Sequence, residues 1–389
     1  MSLTHVPTTD APTTADPATA DPATSVPGGT TSPARPQPPT RPATMRRAVA
    51  EPTVGVRLED AAVPVPGPGE VLVRSTLVGI CGSDTHAVAG HHPFLTAPYV
   101  PGHEATGVVV GTGAGVTALR PGDRVLLKPN VACGTCVNCA ADRSNACEHL
   151  TWIGCDPSRE RSGAMAGWFV APERNLFAVP DVLDDQAAVL VECLATPVHA
   201  VRLAGDLAGA RVVVLGAGTI GVLSVVAALR AGAGVVVVTD LDEAKLARAV
   251  RVGAAAGVLA SSVDVDDRVR DALGGPADVV LDCVASERSV AQGVGLLRRA
   301  GTLLLVGVPP RSGAVDLPNV QDRELRLQGC AAYTEADVET AIAIAADGGL
   351  PVAEVVAATY GLEDVAVAFA RAAADSSGKV LVAPGAPAR

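Results

Sequence analysis

The sequence predicts an α/β chain in two parts, a small barrel-like β domain followed by a doubly wound parallel sheet. Two observations carry this. From residue 46 to about 190, short apolar runs are separated by Gly- and Pro-rich turns, the pattern of short strands in a β domain. After residue 195, apolar strands alternate with helical stretches, the pattern of a parallel sheet covered on both faces. Composition agrees: 48% of the residues are hydrophobic, 40 are Gly, 30 are Pro and only 2% are aromatic, which implies many turns and a core of Val, Ala and Leu. A chain of 389 residues has room for two or three domains with a sizeable core.

Taken in order, residues 1–45 form a Thr/Pro/Ala-rich tail with near-repeats such as Ala-Asp-Pro-Ala-Thr. The tail has no apolar periodicity, cannot offset its ordering entropy and is expected to be disordered. Its first half is acidic, unlike an organellar transit peptide. Met45-Arg46-Arg47-Ala48 reads like an internal start, so the folded part is expected from 46. Pro64-Val65-Pro66-Gly67-Pro68-Gly69-Glu70 is a turn cluster ahead of a short strand, Val71 to Arg74. Thr106 to Val110 and Asp123 to Leu127 are further strands. In the second part, Val212 to Leu215 is a strand, followed by a helix to about Ala231. Val235 to Thr239, Asp278 to Cys283 and Thr302 to Val306 are strands. A helix is expected around Glu335–Ala346 and a last strand from Lys379 to Val382.

The net charge of −11 argues against nucleic acid or an anionic membrane as partner. No apolar run was expected to approach the ~18 residues of a membrane span. The chain carries nine cysteines, four of them within 133–147. Without a basic n-region and an apolar h-region at the N-terminus, a reducing cytoplasm and metal-bound thiolates fit better than a disulfide framework.

Three stretches carry candidate chemistry. The first, Gly79 to Glu104, holds Cys81, Ser83, Asp84, His86, His103 and Glu104. Cys81, His103 and Glu104 are zinc-ligand types, and Ser83 and His86 are proton-transfer types. The competing reading is a turn-rich segment around a buried cysteine. The second is Cys133-x2-Cys136-x2-Cys139-x7-Cys147, whose four soft ligands suit a closed tetrahedral zinc site. Redox Cys-x-x-Cys pairs and an iron–sulfur cluster are the alternatives. The third is Gly216-Ala217-Gly218-Thr219-Ile220-Gly221, after an apolar strand and opening an apolar helix, with Asp240 ending the next strand. That context is the dinucleotide-binding one: Gly216 for the tight turn, Gly218 for approach of a pyrophosphate, Gly221 for helix packing. Asp240 would accept from the adenosine ribose and repel a 2′-phosphate, favouring NAD over NADP. A βαβ unit that binds no nucleotide is the alternative.

Together these residues resemble the zinc-dependent medium-chain dehydrogenase/reductase family of the alcohol dehydrogenase superfamily, in particular its sorbitol, butanediol and threonine dehydrogenase branch. Gly79-Ile80-Cys81-Gly82-Ser83-Asp84, Gly102-His103-Glu104-Ala105, Pro121-Gly122-Asp123-Arg124-Val125, the four cysteines, Gly216–Gly221 and Ser377-Gly378-Lys379-Val380 stand in the family's order. The resemblance spans roughly Arg46 to Val382. It implies a GroES-like catalytic β-barrel domain over 46–194 with a structural zinc lobe, a Rossmann NAD-binding domain over 195–332, and a segment 333–389 returning to the catalytic domain. It also implies two zinc ions per chain, a catalytic one at Cys81, His103, Glu104 and Glu192 and a structural one at Cys133, Cys136, Cys139 and Cys147. Asp84 would orient a ligand histidine. Thr196 would contact the nicotinamide, and Lys245 the adenosine ribose beside Asp240. Glu192-Cys193 departs from the Glu-Pro usual in the polyol branch. Residues 152–168, with Trp152 and Trp168, match no substrate signature, and His91, His92 and Phe94 are candidates to line the substrate pocket.

The implied function is hydride transfer between a secondary alcohol (polyol, diol or amino alcohol) and NAD, with zinc as Lewis acid and a Ser83/His86 proton relay. A cytoplasmic homodimer or homotetramer with a small-molecule alcohol as its partner is expected. The alternatives are a zinc-free enone or quinone reductase on the same scaffold, a dedicated biosynthetic alcohol dehydrogenase of secondary metabolism, and a non-enzymatic binding protein.

Overall fold

The computed structural model describes residues 42–52, 54–309, 311–374 and 378–385. The expected tail over 1–41 and Ser377 of the Ser-Gly-Lys-Val motif lie outside them. The first strand, Thr44–Glu51, already includes Met45, which the tail was expected to hold. Met45 is buried against Val63, Leu72 and Ala166, so an apolar side chain with a place to pack draws the strand start forward.

The β part is a seven-stranded sheet. Its spatial order is Val356–Gly361, Lys379–Ala383, Glu70–Gly79, Glu104–Thr112, Arg124–Leu127 and Leu176–Ala178, and Trp168–Pro172 adds to Glu70–Gly79. Glu70–Gly79 is longer than the four residues expected, because it is the spine against which three other strands register. Alternation along it sends Val71 and Val73 to the barrel core and Leu72 to the small outer cluster with Met45.

The second part is a six-stranded parallel sheet ordered Ala256–Leu259, Val235–Asp240, Arg211–Leu215, Ala277–Asp282, Leu297–Leu305 and Arg326–Gly329. The order reverses between Arg211–Leu215 and Ala277–Asp282, the kind of switch point at whose C-terminal strand ends open α/β sheets bind ligands. Val212, Val214, Val236 and Leu281 face one helical layer, while Val213, Leu215, Val237 and Val280 face the other. Burial on both faces is why these strands read as unbroken apolar runs. The edge strands Ala256–Leu259 and Arg326–Gly329 were not expected. Each has four residues, one split by Gly257 and the other carrying Arg326 and Gln328, so neither shows such a run.

Helix Asp185–Ala204 runs through position 194/195, where a domain boundary was expected. Its N-cap, Asp184, accepts from the Ala187 N–H at 2.7 Å. By length and composition it could cross a membrane, which corrects the expectation that no such stretch exists; 78% of its apolar window is buried in the fold. It serves both parts, packing on Glu335–Ala346 and on Thr219–Arg230 on one side and on the strand Glu104–Thr112 on the other. The segment expected to return to the β part therefore divides. Its helix Glu335–Ala346 stays with the parallel sheet's layer, and its strands Val356–Gly361 and Lys379–Ala383 join the β sheet.

The loop over 153–165 is clamped on the turn Pro101-Gly102-His103. Ala164 N donates to Gly102 O at 2.8 Å and Met165 N to Pro101 O at 3.0 Å. A Cβ on Gly163 would collide with the Pro101 carbonyl, and one on Gly154 would come within 2.9 Å of His103 N. Both obstacles are backbone and cannot step aside. Gly163→Ala is expected to cost about 1–3 kcal/mol by overpacking and to lower the thermal midpoint by several degrees. An unchanged midpoint in a calorimetric scan would mean that the loop is free to lift from the turn.

Candidate functional site

Strand register assembles the first cluster. Gly79 faces Glu104 on one side and Leu381 on the other. Three strand ends thus meet, bringing Cys81, His103, Glu104 and Lys379 together from positions far apart in the chain. Gly79 has to be glycine, since a Cβ there would fill the place of the Glu104 carboxylate. Ligand atoms of Cys81, His103 and Glu104 lie within 4.8 Å of one another. Glu104 Oε1 accepts from Lys379 Nζ at 2.6 Å, and both side chains are buried. Glu104 Oε2 is buried and has no hydrogen-bond partner. Burial opposes ionisation of Glu104, but Lys379, His103 and a Cys193 contact together overcome it and hold the carboxyl below its usual value. A buried anion with one idle oxygen beside a thiol and an imidazole is a donor set that fits a divalent zinc.

Around it, Asp84 is fully buried. It accepts from Tyr99 Oη at 2.8 Å and from Cys81 N at 3.2 Å, and lies 3.7 Å from His103 Nδ1. Cys155 Sγ is 3.4 Å from the same nitrogen, and Trp152 meets the His103 ring edge-on at 6.5 Å. Cys81 precedes the short helix Gly82–Val88. Ser83 Oγ donates to Cys81 Sγ at 2.9 Å. His86 lies in the helix's last turn and is exposed; among the described residues no hydrogen bond joins it to Ser83. In the loop that follows, His92 Nδ1 accepts from Phe94 N at 3.2 Å and Leu95 N at 2.9 Å, and Phe94 is 85% exposed, so His92 shapes the loop.

Glu192 comes from the helix Asp185–Ala204. Ligand atoms of Glu104, Glu192 and Cys193 also fall within 4.8 Å of one another, so Glu104 belongs to two clusters. Tyr333 Oη donates to Glu192 Oε1 in a short hydrogen bond. Burial, with the Glu104 charge added, pushes Glu192 up to about 7. Thr196 lies one turn along on the same face. Its carbonyl is 3.9 Å from Cys330 Sγ, at the end of an outer strand of the parallel sheet.

The four cysteines form a separate lobe with all ligand atoms within 4.8 Å. Cys133–Cys139 is 4.0 Å, Cys136–Cys139 3.5 Å and Cys136–Cys147 3.9 Å, close to the ~3.8 Å that tetrahedral Zn–S bonds of ~2.3 Å require. The Thr135 N–H and hydroxyl and the Cys136 N–H pull Cys133 down to about 5, while desolvation pushes Cys139 up to about 12. Four sulfurs this close cannot all ionise without a cation, and zinc would supply it.

The lobe is tied to the rest of the fold by a buried polar network. Asn145 Nδ2 lies 3.2 Å from His199 Nε2, and Asp337 accepts from His199 Nδ1 at 2.8 Å, Arg202 Nε at 2.7 Å and Thr334 N at 2.8 Å. Burial works against the Asp337 charge, yet these donors win and hold it well below the usual value of 3.8. A depressed folded-state pKa contributes stability above the unfolded value that is lost as pH falls. Wild type is therefore expected to exceed Asp337→Asn in urea midpoint at pH 6, with the gap narrowing towards pH 3. A gap that stayed constant would show that the carboxylate's charge contributes nothing.

At the parallel sheet's switch point, Gly216 has φ +93° and a Cβ on Gly221 would strike the Gly216 carbonyl. Gly218 precedes the helix Thr219–Arg230, so Thr219 and Ile220 open its first turn. Asp240 accepts from Ala217 N at 2.7 Å and from Asp242 N at 3.0 Å, tying the two strand ends together. Lys245 stands half-buried in the first turn of Glu243–Arg251. Buried Arg248 donates to Ala217 O at 2.6 Å.

The arrangement includes side chains that the sequence analysis left without a role: Tyr99, Tyr333, Cys155, Lys379 and Arg248. A signal existed for two. Tyr99 and Tyr333 are two of only three tyrosines in an aromatic-poor chain, and both are fully buried.

Family comparison agrees with this geometry. The alcohol dehydrogenase GroES-like domain family matches residues 67–181, and the zinc-binding dehydrogenase family matches 219–347. A protein of Aspergillus fumigatus named probable D-xylulose reductase A is 32% identical over 84% of this chain and 93% of its own length. Sorbitol dehydrogenase of Gallus gallus is 34% identical over 72% of this chain and 79% of its own. The crystal structure of a zinc-binding dehydrogenase from Sinorhizobium meliloti 1021, bound to NADP, superposes with a TM-score of 0.82 at 32% identity, covering 88% of this chain and all of that one. A β-barrel metal cluster joined to a dinucleotide-type sheet defines an oxidoreductase. The chain belongs to the zinc-dependent alcohol dehydrogenase family of medium-chain dehydrogenases, and a zinc-free reductase is not favoured.

Proposed function

We propose that the chain oxidises a secondary alcohol of a polyol or sugar-derived diol with NAD, using one zinc at the Cys81 cluster and a second in the four-cysteine lobe. The observation that carries this is the buried, partnerless Oε2 of Glu104 beside Cys81 and His103. The polyol class rests on the relatives named for xylulose and sorbitol. When bound, zinc supplies Lewis acidity towards a hydroxyl and the dinucleotide accepts the hydride. Cys81, His103 and a glutamate would hold the metal. Asp84 orients His103, and Lys379 keeps Glu104 charged. Ser83 Oγ gives its own hydrogen to Cys81 Sγ here; to act as the relay it would turn that hydrogen towards the His86 side and release it as its oxygen takes the substrate proton, one proton given up for each accepted. His86, three residues on at the surface, passes it to solvent. Asp240 supports NAD, since its carboxylate faces the place of a 2′-phosphate in the dinucleotide fingerprint.

A panel of polyols, diols and amino alcohols monitored at NADH absorbance tests the reading. Turnover with a polyol is expected, together with a loss of at least 10³-fold in Cys81→Ser. Full activity in Cys81→Ser, or in protein stripped of metal at the Cys81 cluster, would refute it. Asp240→Ser is expected to shift the NAD/NADP ratio of kcat/KM by about tenfold or more towards NADP, the ~1.4 kcal/mol of one relieved charge contact. An unchanged ratio would remove Asp240 from cofactor choice.

A further inference from the structure

Residues 331–337 cross from one cluster to the other. At one end of this strap, Ser144 Oγ, between Cys139 and Cys147, donates to Glu335 Oε2 at 2.6 Å. Next to it, Asn145 Nδ2 donates to Ala331 O at 2.9 Å. From the segment just before the lobe, Asn130 Nδ2 donates to Tyr333 O at 3.0 Å, and buried Lys128 donates to the other oxygen of the same Glu335 carboxylate at 2.8 Å. Between these ties, Ala332 has φ +53°, a backbone region that residues with a Cβ rarely adopt. A strained alanine persists only where its surroundings hold it. What the strap presents inward is Tyr333, fully buried, with its hydroxyl on Glu192.

We propose that Tyr333 is a positioning residue for Glu192 and that the four-cysteine lobe, through Ser144 and Asn145, sets where Tyr333 stands. The lobe is then more than a local clip. With its sulfurs gathered, Ser144 and Asn145 are fixed, the strap keeps its turn at Ala332, and Glu192 is held on one oxygen while the other stays available. With the lobe loosened, the strap relaxes and Glu192 loses its only side-chain donor among the described residues. The inference rests on the reading of Glu192 as part of the metal site.

The test compares Tyr333→Phe, the double variant Ser144→Ala/Asn145→Ala and their combination. Each is measured for kcat and KM, and for the visible spectrum and chelator-driven release of Co(II) loaded at the Cys81 cluster. Loss of an outer partner of a metal ligand typically costs 10- to 100-fold in affinity or activity. Tyr333→Phe and the lobe double variant are both expected to speed Co(II) release about tenfold or more and to shift its bands alike. The combination is expected to be no worse than Tyr333→Phe alone, because both act through one contact. Ser144→Thr, which keeps the hydroxyl, is expected to restore the wild-type spectrum when paired with native Asn145. Additive effects, or a lobe variant whose spectrum and release rate match wild type, would overturn the coupling. The spectrum needs no substrate. Normal coupling without alcohol turnover would sink the proposed activity alone, whereas a cluster that takes up no Co(II) would sink both.

Discussion

The buried ion pair of Glu104 and Lys379 is the constraint on which the site depends. A carboxylate in this position costs several kcal/mol in lost hydration unless a cation is fixed beside it. Lys379 lies 275 residues along the chain from Glu104. The chain therefore has to complete the parallel sheet and come back before the first cluster can be charged. The return is exact in register, because Leu381 and Glu104 both flank Gly79. Topology and electrostatics pose the same demand: the last strand closes the β sheet and delivers the ammonium that the first cluster lacks.

That pair leaves the site short of positive charge. Two carboxylates, Glu104 and Glu192, share Lys379 and the His103 imidazole within a buried space. Burial and the Glu104 charge make Glu192 hold its proton up to about neutral pH, against the Tyr333 hydroxyl, whose donated hydrogen bond favours the carboxylate. A dication reverses this balance, since metal binding releases protons from its ligands. The lobe meets the same problem with sulfur, where amide N–H groups favour a thiolate at Cys133 and desolvation disfavours one at Cys139. Both clusters are thus built around a charge that the protein's own side chains do not balance.

Much of this was legible from spacing alone. The cysteine spacing, the glycine turn with Asp240 and the paired Cys81/His103-Glu104 motifs are local, and local chemistry survives in a linear text. Helix Glu335–Ala346 appeared with the bounds expected, since a helical period over 12 residues needs no tertiary help. Helix Asp185–Ala204 was missed because its residues are buried nearly all round. Such a helix has no polar stripe to announce its period, and Pro197 stands inside it as a false stop. The Ser83/His86 pair shows the converse limit: residue type marked them as proton-transfer candidates, but the bond to Cys81 that orients Ser83 is visible only in three dimensions. Lys379 was legible as a motif letter and not as a partner, for nothing near it in sequence shows the carboxylate it meets.

The same reasoning separates the thiols near the first cluster. Cys155 and Cys193 each sit beside metal-ligand types, so residue type alone would add them to the ligand set. Burial pushes both thiols up, and neighbouring carboxylates, Asp84 for Cys155 and Glu104 for Cys193, add to the effect. A thiol kept protonated is a small apolar side chain and a poor ligand. Cys81 differs in its setting: it stands at the start of a helix, accepts the Ser83 hydrogen and is less enclosed than Cys193. Hydrogen bonds and burial thus favour Cys81 over Cys155 and Cys193 as the thiol that the proposed zinc would take, a distinction that no spacing rule contains.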